Sequence, residues 1–145
     1  MIKYIQHGNI FDSQAQVLVN PVNCVGVMGK GLALQFKERF GPEYFTHYQH
    51  ACNSKLLRPG QLYLHAYTTP WILDFPTKDH YLNPSQIMWI REGLHFFVRK
   101  YKQWTIHSIA FPRLGSGLGG LEWHLVRGQM EDILHDLPID IEIYE

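Results

Sequence analysis

The chain has little that would tie it to a metal, a membrane or an extended polyanion. It has only two cysteines, Cys24 and Cys52, in 145 residues, and their spacing matches neither a zinc motif nor a CxxC redox pair. No disulfide framework, metal site or cofactor is therefore expected. The thiols read as free groups in a reducing compartment, the cytoplasm. Thirteen Lys and Arg balance 13 Asp and Glu, so the basic excess of a protein that coats nucleic acid is missing. Any contact with nucleic acid has to be local. No apolar run approaches the about 18 residues needed to cross a bilayer, and the segment from Met1 to His7 is too short and polar for the apolar stretch of a signal peptide. No membrane contact is expected. Internal repeats, low-complexity tracts and long linkers are also absent, so residues 1–145 are expected to form one domain.

What is present is enough apolar material for a core: 46% of the residues are hydrophobic, sufficient for a domain of this size without covalent staples. Ile2, Tyr4 and Ile5 begin as a strand that Gly8-Asn9 stops. The β-branched run 17–22 predicts a buried strand. Leu32 and Phe36, four apart, predict a helix over 32–37 that Gly41-Pro42 ends, with a second helix over 42–52. Pro59-Gly60 marks a turn, and residues 61–67 and 71–75 read as a hairpin around Thr68-Thr69-Pro70. A long amphipathic helix starts at Pro84-Ser85 and places Ile87, Ile90, Leu94, Phe97 and Val98 on one stripe. Residues 106–111 form another buried strand. A helix from about Leu121 turns Leu125, Ile133 and Leu134 inward, and the alternation over 139–144 closes the chain as a strand. Strands alternating with helices imply a three-layer α/β/α fold, and the hairpin makes its central sheet mixed, with about six strands.

Two of these strands run into glycine-rich loops that open helices: Gly26-Val27-Met28-Gly29-Lys30-Gly31 and Gly115-Ser116-Gly117-Leu118-Gly119-Gly120. Glycine lets the backbone approach an oxyanion, and a helix N-terminus offers unpaired N–H groups at the positive end of its dipole. One such loop is common. Two in a small domain fit a diphosphate, one loop to each phosphate. The first lacks the Ser or Thr that ends a Walker motif, and neither is a GxGxxG with the acidic partner of a dinucleotide site. Nucleotide hydrolysis and hydride transfer are thus poorly supported.

The run Val19-Asn20-Pro21-Val22-Asn23-Cys24-Val25-Gly26-Val27-Met28-Gly29-Lys30-Gly31-Leu32-Ala33 resembles the first ligand loop of the macrodomain family. Pro112-Arg113-Leu114-Gly115-Ser116-Gly117-Leu118-Gly119-Gly120-Leu121-Glu122-Trp123 resembles the second. The likeness extends over essentially the whole chain. It is greatest to the lysine-dependent ADP-ribosyl glycohydrolases, and among them to the DarG-type antitoxins that act on ADP-ribosylated thymine in DNA. The distinguishing segment is Phe75-Pro76-Thr77-Lys78-Asp79-His80-Tyr81, whose Thr-Lys pair puts the family's essential lysine on Lys78.

The resemblance implies substrate contacts from Asn9, Ile10, Asn20, Asn23, Val27, Met28, Gly29, Lys30, Gly31 and Leu32 on the first side. On the second it implies Pro112, Leu114, Gly115, Ser116, Gly117, Leu118, Gly119 and Gly120, with Tyr144 stacking on adenine. N–H groups of Gly29 to Gly31 and of Ser116 to Gly120 would hold the diphosphate, and Asn20 and Asn23 would meet the distal ribose. A neutral lysine amine can attack an anomeric carbon, or the aldehyde of an opened ribose, and form an adduct that water later resolves. Phe75, Pro76, Tyr81 and Trp123 would provide apolar cover. Taken without the resemblance, Lys78 reads as a solvated loop lysine, Tyr144 as an edge-strand tyrosine and Asn23 as a turn residue.

The sequence departs from the family twice. Gly8-Asn9 replaces the usual Gly-Asp, and Gly119 stands where some lysine-type relatives have aspartate. Asp79, His80 and Glu122 are the candidates for a second protonating group. The partners implied are ADP-ribose or an ADP-ribosylated substrate, including single-stranded DNA carrying ADP-ribose, and a cognate ADP-ribosyltransferase toxin. Competing readings are a phosphatase of ADP-ribose 1″-phosphate, a deacetylase of O-acetyl-ADP-ribose, an ADP-ribose reader without chemistry, and an interaction domain whose glycine loops are only turns.

Overall fold

In the computed structural model, which describes residues 1–145, six strands form one mixed sheet in the order β1-β6-β5-β2-β4-β3. The strands are β1 (Ile2–Ile5), β2 (Val17–Val22), β3 (Tyr63–His65), β4 (Trp71–Pro76), β5 (Ser108–Phe111) and β6 (Asp140–Tyr144). All neighbouring pairs are parallel except β3 with β4. The hairpin predicted from the Pro59-Gly60 and Thr-Thr-Pro signals is therefore the antiparallel edge of the sheet. β3 is shorter than predicted because Gln61 is used earlier, donating its N–H to the carbonyl of Arg58 across the turn. β5 begins at Ser108, since the N–H of Ile106 closes onto Tyr101 behind the preceding helix.

Alternation along the strands divides the core into two layers. Val17, Val19, Leu73, Phe75, Ile109, Phe111, Ile141 and Ile143 point to one face, where helices α2 (Ile87–Lys100) and α3 (Trp123–Leu134) cover them. Leu18, Val22, Ile72 and Ala110 point to the other, beneath α1 (Gly31–Asn53). Each fully buried aliphatic or aromatic side chain here contributes roughly 1.5–3 kcal/mol through removal from water. α1 breaks at Gly41, whose φ of 85° and ψ of −176° lie outside the helix. This is the interruption expected at Gly41-Pro42, with helix resuming on both sides.

Two helix starts differ from the sequence reading. Ser85 donates its N–H to the carbonyl of Gly119, so α2 begins at Ile87 rather than Pro84-Ser85. Leu121 donates to the carbonyl of Gly115, and Gly120 has a φ of 83°, so α3 starts at Trp123 rather than Leu121. With that start the inward stripe is Val126, Met130 and Leu134, spaced by four. Leu125, expected in the core, is 56% exposed. The other two residues expected inside are there: Leu134 is buried and Ile133 packs half-buried against the same layer. No helix of the protein is long and apolar enough to cross a membrane.

Candidate functional site

The chain leaves β2 through α1 on one face and β5 through α3 on the other. Because β2 and β5 are neighbours, their loops open away from each other at the C-terminal edge. That crevice is where open α/β sheets bind ligands. The two glycine-rich loops that the sequence singled out are the two that flank it.

Asn23 shapes the first loop. Its Oδ1 accepts from the N–H groups of Val25 (3.0 Å) and Val27 (3.4 Å), and its Nδ2 donates to the carbonyl of Val27 (2.7 Å). The hydroxyl of Tyr48, from α1, lies 2.9 Å from both Oδ1 and the carbonyl of Asn23. The amide thus holds the turn, the structural role that its residue type allows beside contact with a ribose. Beyond it the backbone N–H groups from Met28 to Ala33 have no acceptor in the protein, and Lys30 caps α1 with no side-chain bond. A helix start with unpaired donors is an anion site.

In the second loop the N–H of Ser116 bonds to Arg113 O and that of Gly120 to Gly117 O, leaving those of Gly117, Leu118 and Gly119 without partners. The expected run from Ser116 to Gly120 is therefore narrowed to its centre, since the turn itself takes the outer two donors. The loops meet: a Cβ built on Gly31, whose φ is 58°, would lie 3.1 Å from Leu118 Cδ1. A Cβ on Gly119 would overlap Ser85 Oγ and the carbonyl of Gly115. The family's aspartate has no room there.

Lys78 sits in the turn after β4, tied to both loops. Thr77 donates its N–H to Val22 O (2.9 Å), Cys24 to Asp79 O (3.1 Å) and Ser85 to Gly119 O (3.0 Å). The Lys78 ammonium donates to the carbonyl of Tyr81 at 3.2 Å. The Cys24 thiol lies 3.5 Å from Lys78 O, and burial pushes it up to about 12. Asp79 Oδ1 accepts from the N–H of His80 and from Asn83 Nδ2, with Asn83 the main cause holding its carboxyl below the ordinary value. His80 Nδ1 accepts from the N–H of Leu82 (3.1 Å). Glu122 is solvated beside His124 and lies outside this group. Of the apolar cover expected over the lysine, only Tyr81 shares its turn. Phe75 faces the core against α2, and the indole of Trp123 donates to Glu145.

Other expected contacts divide by burial. Met28, Ile10, Pro112, Leu114 and Ser116 are buried, Leu114 within the α2–α3 layer. Val27 and Leu118 are exposed at the rim, and Leu32 is half-buried on the α1 side. Asn9 Oδ1 accepts from the N–H of Phe11 (3.0 Å), capping a short 3-10 turn over Ile10–Asp12. Tyr144 is half-buried at the end of β6, and a Cβ built on Gly8 would lie 3.1 Å from its ring.

Asn20, expected at the distal ribose, has no exposed surface. It belongs to a network that the sequence reading missed. Its Nδ2 donates to Tyr44 Oη (2.7 Å), which donates to Asp74 Oδ1 (2.6 Å); Asp74 Oδ2 lies 2.6 Å from His65 Nε2, and His65 Nδ1 lies 3.2 Å from Tyr67 Oη. Burial, then the carboxylate of Asp74, holds the Tyr44 phenol well above its ordinary value, so it remains a donor. The one legible signal was register: Asn20 and Asp74 are polar residues in apolar strands, and they pair directly.

Two surface depressions, of about 370 and 420 Å³, are bordered by Ile2, Tyr4, Glu131, Asp132 and His135, and by residues 13–16 and 68–71. Both lie at the opposite edge of the sheet, away from the unpaired donors.

The family described as Macro domain matches residues 19–130. The DNA ADP-ribosyl glycohydrolase of Mycobacterium tuberculosis is 40% identical over 142 residues, 94% of this chain and 40% of that protein. That of Thermus aquaticus is 37% identical over 150 residues, covering all of this chain and 41% of that protein. The chain thus spans about two fifths of the length of these curated relatives. Among solved structures, the macrodomain of Thermus aquaticus DarG superposes with a TM-score of 0.93 at 37% identity, covering 100% of this chain and 98% of that one. Thermosipho africanus DarTG in complex with ADP-ribose gives 0.93 at 41% identity, covering 99% of this chain and 41% of that one. With the mixed six-stranded sheet and the paired loops at the β2–β5 crevice, these matches establish that the chain belongs to the macrodomain family.

Proposed function

We propose that this chain is an ADP-ribosyl glycohydrolase that holds ADP-ribose across the β2–β5 crevice and releases it from thymine in DNA, in the manner of a DarG-type antitoxin. The observation that carries the reading is the meeting of two sets of unpaired N–H donors, Met28 to Ala33 and Gly117 to Gly119, beside a turn that bears Lys78. Each set suits one phosphate. Fixed donors of this kind need no reorganisation when charge arrives. The DNA activity is supported by the names of the relatives in Mycobacterium tuberculosis and Thermus aquaticus. A DarT-like toxin as partner is supported by the DarTG structure.

On this reading Tyr144, beside Gly8-Asn9, takes the adenine. The Asn9 oxygen is occupied, leaving its amide N–H and the backbone to meet the base edge. Lys78 leaves the Tyr81 carbonyl, gives its ammonium proton to water, and attacks the anomeric carbon through the resulting neutral amine. A carbon–nitrogen bond forms as the glycosidic bond breaks, its electron pair leaves on the base, and the proton shed by the lysine nitrogen reaches the base nitrogen. Water then resolves the adduct and restores the amine. Hydrolysis of a thymine-ADP-ribosylated oligonucleotide by the wild type and by Lys78→Ala tests this. A loss of at least 100-fold in the variant is expected, on the order of what nucleophile removal costs elsewhere, and equal rates remove lysine from the mechanism.

One observation favours a second reading. The ammonium of Lys78 is engaged with its own turn, as it would be in a reader that binds ADP-ribose and performs no chemistry. A reader binds ADP-ribose in calorimetry and leaves the oligonucleotide intact.

A further inference from the structure

The lysine turn carries a feature that the chemistry at Lys78 does not use. The rings of His80 and Tyr81 stack with centroids 4.3 Å apart and planes 30° from parallel, and Tyr81 is 46% exposed. The stack is held from below. Asp79 Oδ1 accepts from the N–H of His80 and from Asn83 Nδ2, His80 Nδ1 accepts from the N–H of Leu82, and Asn83 donates its N–H to His80 O. Such bonds fix the His80 ring against rotation, so Tyr81 rests on a rigid support with part of its surface open to solvent.

We infer that the His80–Tyr81 stack is a platform for a planar nucleobase attached to the distal ribose, and that it selects a base-linked ADP-ribose over one linked to an amino acid. The inference rests on the ADP-ribosyl reading above. The Tyr81 carbonyl is 3.2 Å from the Lys78 amine, so a leaving group on a sugar held at that amine emerges within a residue's reach of the ring. An aromatic face gains from a flat heterocycle in a way that it does not from an aliphatic or carboxylate linkage, and the gain tolerates any base because every base has a π-face. The alternative use of an exposed aromatic, docking a protein, gives no role to a rigid partner ring beneath it. The zero net charge of the chain fits as well, because a base platform binds DNA through one ring and not through a phosphate track.

The test uses the Lys78→Ala protein, so that bound substrate persists, and compares its affinity for a fluorescent single-stranded oligonucleotide carrying one ADP-ribosylated thymine with that for free ADP-ribose. Replacing Tyr81 by Ala is expected to lower the ratio of the two affinities by between about fivefold and about 100-fold, the range of base–aromatic stacking. Tyr81→Phe is expected to keep the ratio and His80→Ala to lower it in part. An ADP-ribosylated peptide is expected to lose nothing in Tyr81→Ala. An unchanged ratio in Tyr81→Ala overturns the platform. So does an equal loss in Tyr81→Phe, which assigns the effect to the hydroxyl, or an equal loss on the peptide, which assigns it to the ribose side. Failure of the enzymatic reading appears separately, as absence of turnover by the protein with Lys78 intact, and leaves the binding ratios interpretable.

Discussion

Replacing Tyr44 by Phe removes one oxygen atom from the centre of the buried network while keeping the ring. Two polar groups lose their partner. Asp74 Oδ1 loses the donor at 2.6 Å, and Asn20 Nδ2 loses the acceptor at 2.7 Å, retaining only the sulfur of Met28 at 3.9 Å. Both residues have no exposed surface, so water cannot replace the lost partner without a rearrangement. A buried group left unsatisfied costs about 1–3 kcal/mol, more for a charged one, so the pair sums to about 3–5 kcal/mol. That is about a fifth or more of the roughly 5–15 kcal/mol by which a domain is stable. In urea, with a slope of about 1–3 kcal/mol per molar, the unfolding midpoint should fall by about 2 M. Tyr81→Phe, at an exposed position, serves as the control and should change stability by no more than about 0.5 kcal/mol. A loss below about 1 kcal/mol in Tyr44→Phe refutes the network as described and returns Asn20 to the candidates for ligand contact.

Gly119→Ala should weaken ADP-ribose binding at least about tenfold in calorimetry and destabilise the fold by about 1–3 kcal/mol, because its Cβ meets Ser85 and the Gly115 backbone. Gly29→Ala should be tolerated, since only a Val27 methyl lies nearby, at 3.7 Å. Stability should decline as pH rises from about 9 to 12. Burial raises Cys24 from 9.0 to about 12, and Tyr4 and Tyr67 from 10.0 to about 12. Above the ordinary values the unfolded chain therefore holds fewer protons than the folded one, and stability falls with pH until the folded groups ionise. Urea midpoints at pH 8 and 10.5 check this, and Cys24→Ser should flatten the decline.

The elements that the sequence made legible are those in which a single local signal decides. The β-branched run at β2, the stripe on α2 from Ile90 to Phe97, the break at Gly41-Pro42 and the two glycine loops all have this character, although Ile87, expected on that stripe, is exposed at the start of the helix. Where a distant bond decided, local signals pointed elsewhere. Gly119 O holds Ser85, and Gly115 O holds Leu121; these two contacts delay α2 and α3. Asn23 shows the same limit at the site. Its amide type suits a sugar hydroxyl or a turn equally, and only the positions of Val25, Val27 and Tyr48 show that the turn uses it. The network of Asn20, Tyr44, Asp74 and His65 joins four elements, and no spacing along one of them announces it.

Strand order supplies a direction for the ligand that neither loop gives alone. At the C-terminal edge, β6 carries Tyr144, β5 leads to the second donor loop, β2 to the first, and β4 to the lysine turn, and these strands are consecutive in the sheet. Neighbouring strands are about 4.8 Å apart, so the three steps from β6 to β4 cover about 14 Å. On the proposed reading, a ligand with an aromatic base, a diphosphate and a reactive sugar in that order would lie across the strands, with adenine at β6 and the sugar at β4. The bonds from Thr77 to Val22 and from Cys24 to Asp79 extend the β2–β4 pairing past the strand ends, which keeps the lysine turn in line with the row. A crystal structure with ADP-ribose should show this order, with each phosphate facing one donor loop. A ligand lying along a single strand, or with its diphosphate beyond both loops, would separate the lysine from the anomeric carbon and refute the assignment of the cleft.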